Sequence, residues 1–296
     1  SLVDEKKISL LNKLKSSGIP LKEYVNGKIY RGVLTGLDKA FIIDKKTKDE
    51  LILKNMNSAE LIKPYLRGRD IKRYQVPNSD QFLIFIPKGW TNLNSGGKGD
   101  AWNWLKEKYT AIANHLSPYS DAAKKRYDKG EYWWELRACD YYAEFEKPKI
   151  MYLKFQVKPV FAFDESVIYP NSAIWIIPKN DLYLLGILNS KLGWFLISTF
   201  CTQIQNGYQL IFKYLGQIYI RTINFENPSD EAHHDKMVSL VSQILDLYEQ
   251  QSQAKLPQQK TVLNRQIEAT DRKIDELVYE LYNLTEEEIK IVESGP

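Results

Sequence analysis

The pattern of the 296 residues predicts an α+β fold: a mixed or antiparallel, β-rich recognition-type domain with interleaved helices, followed by a C-terminal antiparallel helical hairpin. Three observations carry that expectation. Up to about Phe225, short apolar runs rich in β-branched and aromatic residues are punctuated by glycine and proline. Helical stretches interrupt those runs too irregularly for a repeated strand-helix-strand unit. From residue 226 onward the aromatic runs stop and apolar residues recur at heptad spacing. An apolar content of 44% in a chain of this length is enough to bury an ordinary core.

In chain order, residues 1–18 read as a short amphipathic helix, with Ile8, Leu11 and Leu14 at helical spacing and Gly18 just past its end. It is expected to be the trailing edge of whatever precedes it. The main domain is expected over residues 19–225. Its strand candidates are Phe41 to Ile43, Phe82 to Ile86, Ile150 to Phe155, Val160 to Phe163 and Ala173 to Ile177, the last closed by Pro178. Helices are expected at Trp102 to His115 and Leu182 to Thr199. Residues 226–296 form the tail. Met237, Leu240, Ile244 and Leu247 make one heptad stripe, and Leu263, Ile267, Thr270, Ile274, Leu277, Leu281 and Leu284 make another across the Pro257 break. Thr285-Glu286-Glu287-Glu288 is a capping-box pattern that should start a final short helix.

Charge is unevenly spread. Residues 1–225 hold 34 Lys+Arg against 22 Asp+Glu, and residues 226–296 hold 7 against 15. A basic body favours a polyanionic partner, whereas an acidic tail is expected to lie off a phosphate track. The alternative is an ordinary solvated surface. Cys139 and Cys201 are no disulfide framework and fit a reducing cytoplasm. The longest apolar stretch, Leu182 to Phe200, carries Asn189 and Lys191 near its middle, so it reads as a buried helix and no membrane partner is expected.

Catalytic motifs are not legible. An adenine methyltransferase needs a Gly-rich turn for S-adenosylmethionine and an Asn/Asp-Pro-Pro-aromatic loop around the flipped base. Asn227-Pro228-Ser229 lacks the second proline and the aromatic residue. Ser95-Gly96-Gly97-Lys98-Gly99-Asp100 lacks the spacing and terminal hydroxyl of a P-loop and reads as a basic loop. Glu5-Lys6-Lys7 and Glu288-Ile289-Lys290 match a nuclease tripeptide but fall on expected helices without a strand-borne aspartate. His115, His233 and His234 do not combine with the cysteines at zinc-ligand spacing. No catalytic, cofactor-binding or metal-ligating residue is therefore assigned, and no enzyme activity is expected of these residues alone.

Candidates for DNA contact are more numerous. Leu61-Ile62-Lys63-Pro64-Tyr65-Leu66-Arg67-Gly68-Arg69-Asp70-Ile71-Lys72-Arg73-Tyr74 is dense in cations, and the guanidinium forks of Arg67, Arg69 and Arg73 suit phosphates or base edges. They could equally be tied down by Asp70 and nearby carbonyls as an internal brace. Lys124-Lys125-Arg126-Tyr127, followed by Trp133 and Arg137, interleaves cations with aromatics, as does the stretch with Trp90, Asn94 and Lys98. Of Trp133 and Trp134, one is expected to face the core and one outward. Asn171 lies between two strands. Gln203, Gln205, Asn206 and Tyr208 surround Gly207 in a loop whose amides could pair with adenine in the major groove, or could be a solvated connection.

Four of these segments carry a family likeness: Tyr30 to Asp44 (Tyr30-Arg31-Gly32-Val33-Leu34-Thr35-Gly36-Leu37-Asp38-Lys39-Ala40-Phe41-Ile42-Ile43-Asp44), Leu61 to Tyr74, Tyr132 to Tyr152 and Leu184 to Leu196. Residues 19–223 resemble the TaqI-like C-terminal specificity domain of bacterial restriction-modification methyltransferases. Lys213 to Ile220 resembles that family's closing strand, and Ile274 to Thr285 resembles the helical tail that often follows it. The resemblance implies a target recognition domain that binds double-stranded DNA and supplies sequence choice, not methyl transfer. It also implies an S-adenosylmethionine-dependent, adenine-specific DNA methyltransferase domain upstream in a type IIG or related phage-defence parent, with residues 1–18 as the linker. The hairpin would then brace the module against that domain or mediate a homodimer through its heptad seam. The rival reading is an interaction protein whose acidic hairpin is the working part.

Overall fold

The computed structural model describes residues 2–75, 77–97 and 99–295. A four-stranded antiparallel sheet, in the order Tyr30–Arg31, Ile174–Ile177, Lys149–Leu153, Phe161–Asp164, stands between two hydrophobic cores. Successive side chains on a strand point to opposite faces. Ile150, Tyr152, Phe161, Phe163 and Ile177 enter one core, while Met151, Ile174 and Ile176 enter the other. Burial of both faces is why the Ile150 strand reads as a continuous apolar run and not as an alternation. Across this sheet Lys149 faces Asp164, both side chains fully buried and 2.5 Å apart, and Lys149 Nζ also donates to the Ser166 carbonyl at 3.1 Å.

The second core is closed by a sheet in the order Ile42–Asp44, Gln81–Ile84, Ile62–Leu66, Tyr169–Pro170, in which only the last pairing is parallel. Helices Lys45–Lys54, Ala101–Lys108 and Thr110–Leu116 pack around it. The single helix expected from Trp102 to His115 is therefore two. They meet at Tyr109, which leaves helical geometry at φ −126° and donates its hydroxyl to Glu60 at 2.7 Å.

The first core gathers the N-terminal helix Leu2–Ser16, the apolar helices Leu182–Asn189 and Lys191–Phe200, and the tail. Of the expected stripe, Leu14 is buried and Leu11 packs partly buried against the core, but Ile8 is 58% exposed and Leu10 is buried in its place. The helix expected from Leu182 to Thr199 bends by 71° at Ser190. Ser190 caps the second half by accepting from Gly193 N, and a Cβ on Gly193 would lie 2.1 Å from the Ile187 carbonyl, so the bend requires glycine there. Among the described residues no single helix is long and apolar enough to cross a membrane.

The tail is the expected hairpin: Pro228–Gln253 and Pro257–Leu281 run antiparallel, as the contacts of Gln251 with Asn264 and His233 with Glu280 show. The capping box at Thr285 and Glu288 starts the final helix Glu286–Glu293. Met237, Leu240, Ile244, Leu247, Ile267, Ile274 and Leu277 are buried in the same core as Leu184 and Leu196. The seam considered for a homodimer is thus used within the chain. In the segment likened to a closing strand, Phe212–Leu215 is a helical turn and only Tyr219–Ile220 is strand, paired with Ile19–Pro20.

The first core and several ion pairs cut across the three expected segments, whereas the second core lies wholly within residues 19–225. Lys6, Lys13, Arg73, Lys191 and Arg221 pair with the tail acids Glu287, Glu288, Asp271, Glu293 and Asp230. Part of the opposition between a basic body and an acidic tail is therefore satisfied internally.

Candidate nucleic-acid interface

The cation-rich segment around Gly68 divides into two. Gly68–Asp70 forms a short turn packed between Leu153 and Ala173, where a Cβ at Gly68 would meet their side chains at 3.1 and 3.4 Å. From it Arg69 projects into solvent, 73% exposed, with Asp70 as a loose neighbour at 3.9 Å, and Arg67 is half-buried. Arg73 turns inward. Its two terminal nitrogens hold the Asp271 carboxylate at 2.8 and 2.6 Å, one also donates to the Asn189 carbonyl at 2.7 Å, and its guanidinium lies 4.6 Å from the Tyr74 ring centre. Of the two sequence alternatives, Arg73 takes the brace, through an aspartate of the tail and not through Asp70.

The second cluster divides in the same way. Lys124 and Lys125 are exposed. Arg126 is buried: its guanidinium donates to the carbonyls of Thr35 at 2.6 Å, Trp133 at 2.7 Å and Glu135 at 2.9 Å, and lies over the Phe41 ring. Burial pushes it down to about 10, with Asp128 acting the other way, so it stays charged at neutral pH. Arg126 is not available to a phosphate, contrary to expectation. Beside it the carboxylate of Glu135, fully buried, accepts from the backbone N–H groups of Gly89, Thr91, Glu131 and Tyr132, joining this loop to the start of helix Trp90–Ser95.

Trp90 and Trp133 belong to an aromatic cluster. Trp90 packs on Trp104 and Tyr109, and Trp133 on Trp102 and Trp134. Trp134 is buried and donates its indole N–H to Thr91 Oγ1, while Trp133 is half-buried, the expected division of the pair. Asn94 is exposed and donates to the Trp90 carbonyl at 2.7 Å, which holds it to its own helix. Lys98 lies outside the described residues. The glycine-rich stretch beside it joins two helices, with Asp100 capping the second through the N–H groups of Trp102 and Asn103.

The amide loop is the tip of a small sheet in which Thr202–Ile204 pairs with Gly207–Gln209, and Gly207–Gln209 with Phe155–Gln156. Gln203, Gln205 and Asn206 are all exposed, and Gln205 takes a left-handed conformation at φ 53°. Tyr208 is buried edge-on against Trp194 and is not available to DNA as expected. A Cβ on Gly207 would come within 2.5 Å of the Gln156 carbonyl, so the close approach of these strands depends on that glycine.

These pieces connect. Leu210 N, one residue past the amide hairpin, bonds the Lys154 carbonyl, and Lys154 N bonds the Ala173 carbonyl. Ala173 N is held by Asn171 Oδ1, and the exposed Arg31 donates to the Ser172 carbonyl at 3.2 Å. Arg31 and Arg137 line one small crevice with Tyr141 and Tyr142, and Arg137 lies 3.8 Å from Asp128, next in the chain to Tyr127 and close to Lys124 and Lys125. A path of amides and cations runs from Gln205 to Lys125. Arg31 and Tyr127 were quoted in the sequence motifs but not among the candidates; exposure singles them out. Among the described residues no three His, Cys, Asp or Glu side chains converge where a metal ion would sit.

The sequence model of the TaqI-like C-terminal specificity domain matches residues 63–220, which include most of this path. Among solved structures, the chain is similar to the type IIL restriction-modification enzyme MmeI in complex with DNA, at a TM-score of 0.56 and 11% identity over 89% of this chain and 34% of that one. It also matches the type IIG restriction endonuclease BpuSI, at a TM-score of 0.48 and 14% identity over 95% of this chain and 33% of that one. The chain spans about a third of the length of these two proteins. No curated protein sequence matches it. At such identity the likeness to MmeI is one of fold.

Proposed function

The chain belongs to the TaqI-like C-terminal specificity domain family, a DNA-recognition module of restriction-modification enzymes, and from that premise we propose how its surface divides the work. Lys124, Lys125, Arg137, Arg31 and Arg69 contact phosphates and set the register of the duplex. Gln203, Gln205 and Asn206 read base edges in the major groove, where a side-chain amide can bond adenine N6 and N7 together. Asn171 holds the backbone between the two sets. The module serves an adenine-specific, S-adenosylmethionine-dependent methyltransferase domain upstream in a type IIG parent that acts in phage defence in the bacterial cytoplasm. Residues in that upstream domain carry the cofactor and the methyl transfer, and the chain described here holds the target site in place.

The observation that supports this reading most is the path itself: three exposed amides and several cations on segments joined in turn by the Leu210–Lys154–Ala173 backbone hydrogen bonds, the Arg31 contact with the Ser172 carbonyl, the crevice shared by Arg31 and Arg137, and the approach of Arg137 to Asp128. Two experiments test it. Binding of the chain to a mixed-sequence duplex should fall steeply as salt rises. In the parent, substituting Gln203, Gln205 or Asn206 should relax base choice at particular positions of the methylated motif, by roughly 1–3 kcal/mol for each bidentate pair lost. An unchanged motif in all three variants would place the reading head elsewhere, and binding insensitive to salt would remove the phosphate contacts.

A further inference from the structure

Tyr127 is 98% exposed, more than any other large apolar side chain among the described residues. A single exposed aromatic needs no explanation by itself. Its mount does. The residue before it, Arg126, is pinned by a carbonyl of its own turn, Ala123, and by carbonyls from two other segments: Thr35, and the pair Trp133 and Glu135. Lys129 closes the loop from the other side, its backbone N–H bonding the Tyr127 carbonyl at 3.2 Å and its ammonium the Arg126 carbonyl at 3.0 Å. Gly36, at φ 68°, lies against Arg126 and Asp128, where a Cβ would come within 3.3 Å of the arginine stem. Asp128 in turn faces Arg137 at 3.8 Å. A fully solvated ring is thus carried on a backbone fixed from both sides, with Lys124 and Lys125 exposed in the preceding turn.

A ring that enters a stack of bases must transmit force to them, because parting a base step costs free energy that neighbouring phosphate contacts supply. A mobile loop would yield first. A rigid one flanked by the exposed Lys124 and Lys125, the first only loosely paired with Asp121 at 3.9 Å, would not, and an aromatic face stacks on any base. We propose that Tyr127 is a positioning residue that stacks into a base step beside the phosphates held by Lys124 and Lys125, unwinding the duplex at one end of the recognition path. The inference rests on the DNA-recognition reading and adds a deformation that the cations and amides alone do not produce.

The test uses the 296-residue chain and a closed circular plasmid relaxed by a topoisomerase at saturating protein, so that unwinding is read as a change in linking number. The wild type and Tyr127→Phe should both shift the topoisomer distribution. Tyr127→Ala should abolish the shift and weaken binding about tenfold, with an unchanged melting temperature. Lys124→Ala with Lys125→Ala should weaken binding yet still unwind at saturation. Tyr127→Ala that unwinds like the wild type overturns the inference and leaves DNA recognition standing. A wild type that binds no DNA overturns both.

Discussion

Arg73 and Arg126 sit in two cation-rich stretches that look alike in the sequence, and both turn inward, but against different partners. Arg73 is neutralised by the carboxylate of Asp271, 198 residues away, and so ties the recognition region to the hairpin. Arg126 meets carbonyl oxygens only, most of them within ten residues, and so stiffens a loop. The first is an ion pair whose value depends on both charges. The second is a charged donor that satisfies several carbonyl acceptors at once without bonding a carboxylate. In each stretch the inward arginine fixes the backbone from which the exposed cations project.

Arg126→Ala should be the most damaging way to break the comparison. It leaves the carbonyls of Thr35, Trp133 and Glu135 without their donor and opens space over Phe41, and it should cost about 3–5 kcal/mol in denaturant unfolding. Asp271→Ala should cost about 3 kcal/mol, because it strands the Arg73 charge. The test of the contrast is the double replacement Arg73→Met with Asp271→Leu, which should recover most of that loss, whereas no single partner change can rescue Arg126→Ala. Recovery failing in the double variant would mean that Arg73 is held by the Asn189 carbonyl as much as by its ion pair.

Asp275 sharpens the Arg73 side. Its carboxylate accepts from Lys191 N at 2.8 Å, and burial, with the nearby Asp271 charge adding to it, raises it to about 6. A carboxyl with a raised folded pKa binds its proton more readily folded than unfolded, so stability should grow as pH falls from about 6 toward 4 and be lost as pH rises through 6. Asp275→Asn keeps an acceptor for Lys191 and removes the titration. It should stabilise the chain by about 2–3 kcal/mol at pH 7 and by almost nothing at pH 4, measured as unfolding midpoints across that range. Smallest in stability is the exposed side of the second stretch: Lys124→Ala with Lys125→Ala should leave the melting temperature unchanged. It should also lower the slope of log affinity against log salt by up to about 2, one phosphate contact for each lysine.

Much of the architecture was legible because it is local. The capping box at Thr285 and Glu288 lies within one helical turn, and the stripe of Met237, Leu240, Ile244 and Leu247 repeats at a period that any window of the sequence shows. The strands from Ile42, Ile150, Phe161 and Ile174 were likewise visible as β-branched and aromatic runs. The exposure of Gln203, Gln205 and Asn206 was legible as well, because a short polar turn around a glycine leaves its side chains in solvent.

The direction in which a cation or aromatic points was not local, and only the tertiary structure decided it. Nothing near Arg73 in the sequence indicates Asp271, and nothing near Tyr208 indicates that Trp194 covers it. Ser190 breaks one apolar helix into two because Asn189 bonds both the N–H and the carbonyl of Phe161 on the dividing sheet. Periodicity determines which residues share a face of a strand or helix. Whether that face meets water, a carboxylate or a ring is set by the desolvation of whichever distant segment comes to lie against it, and that partner is absent from any local window.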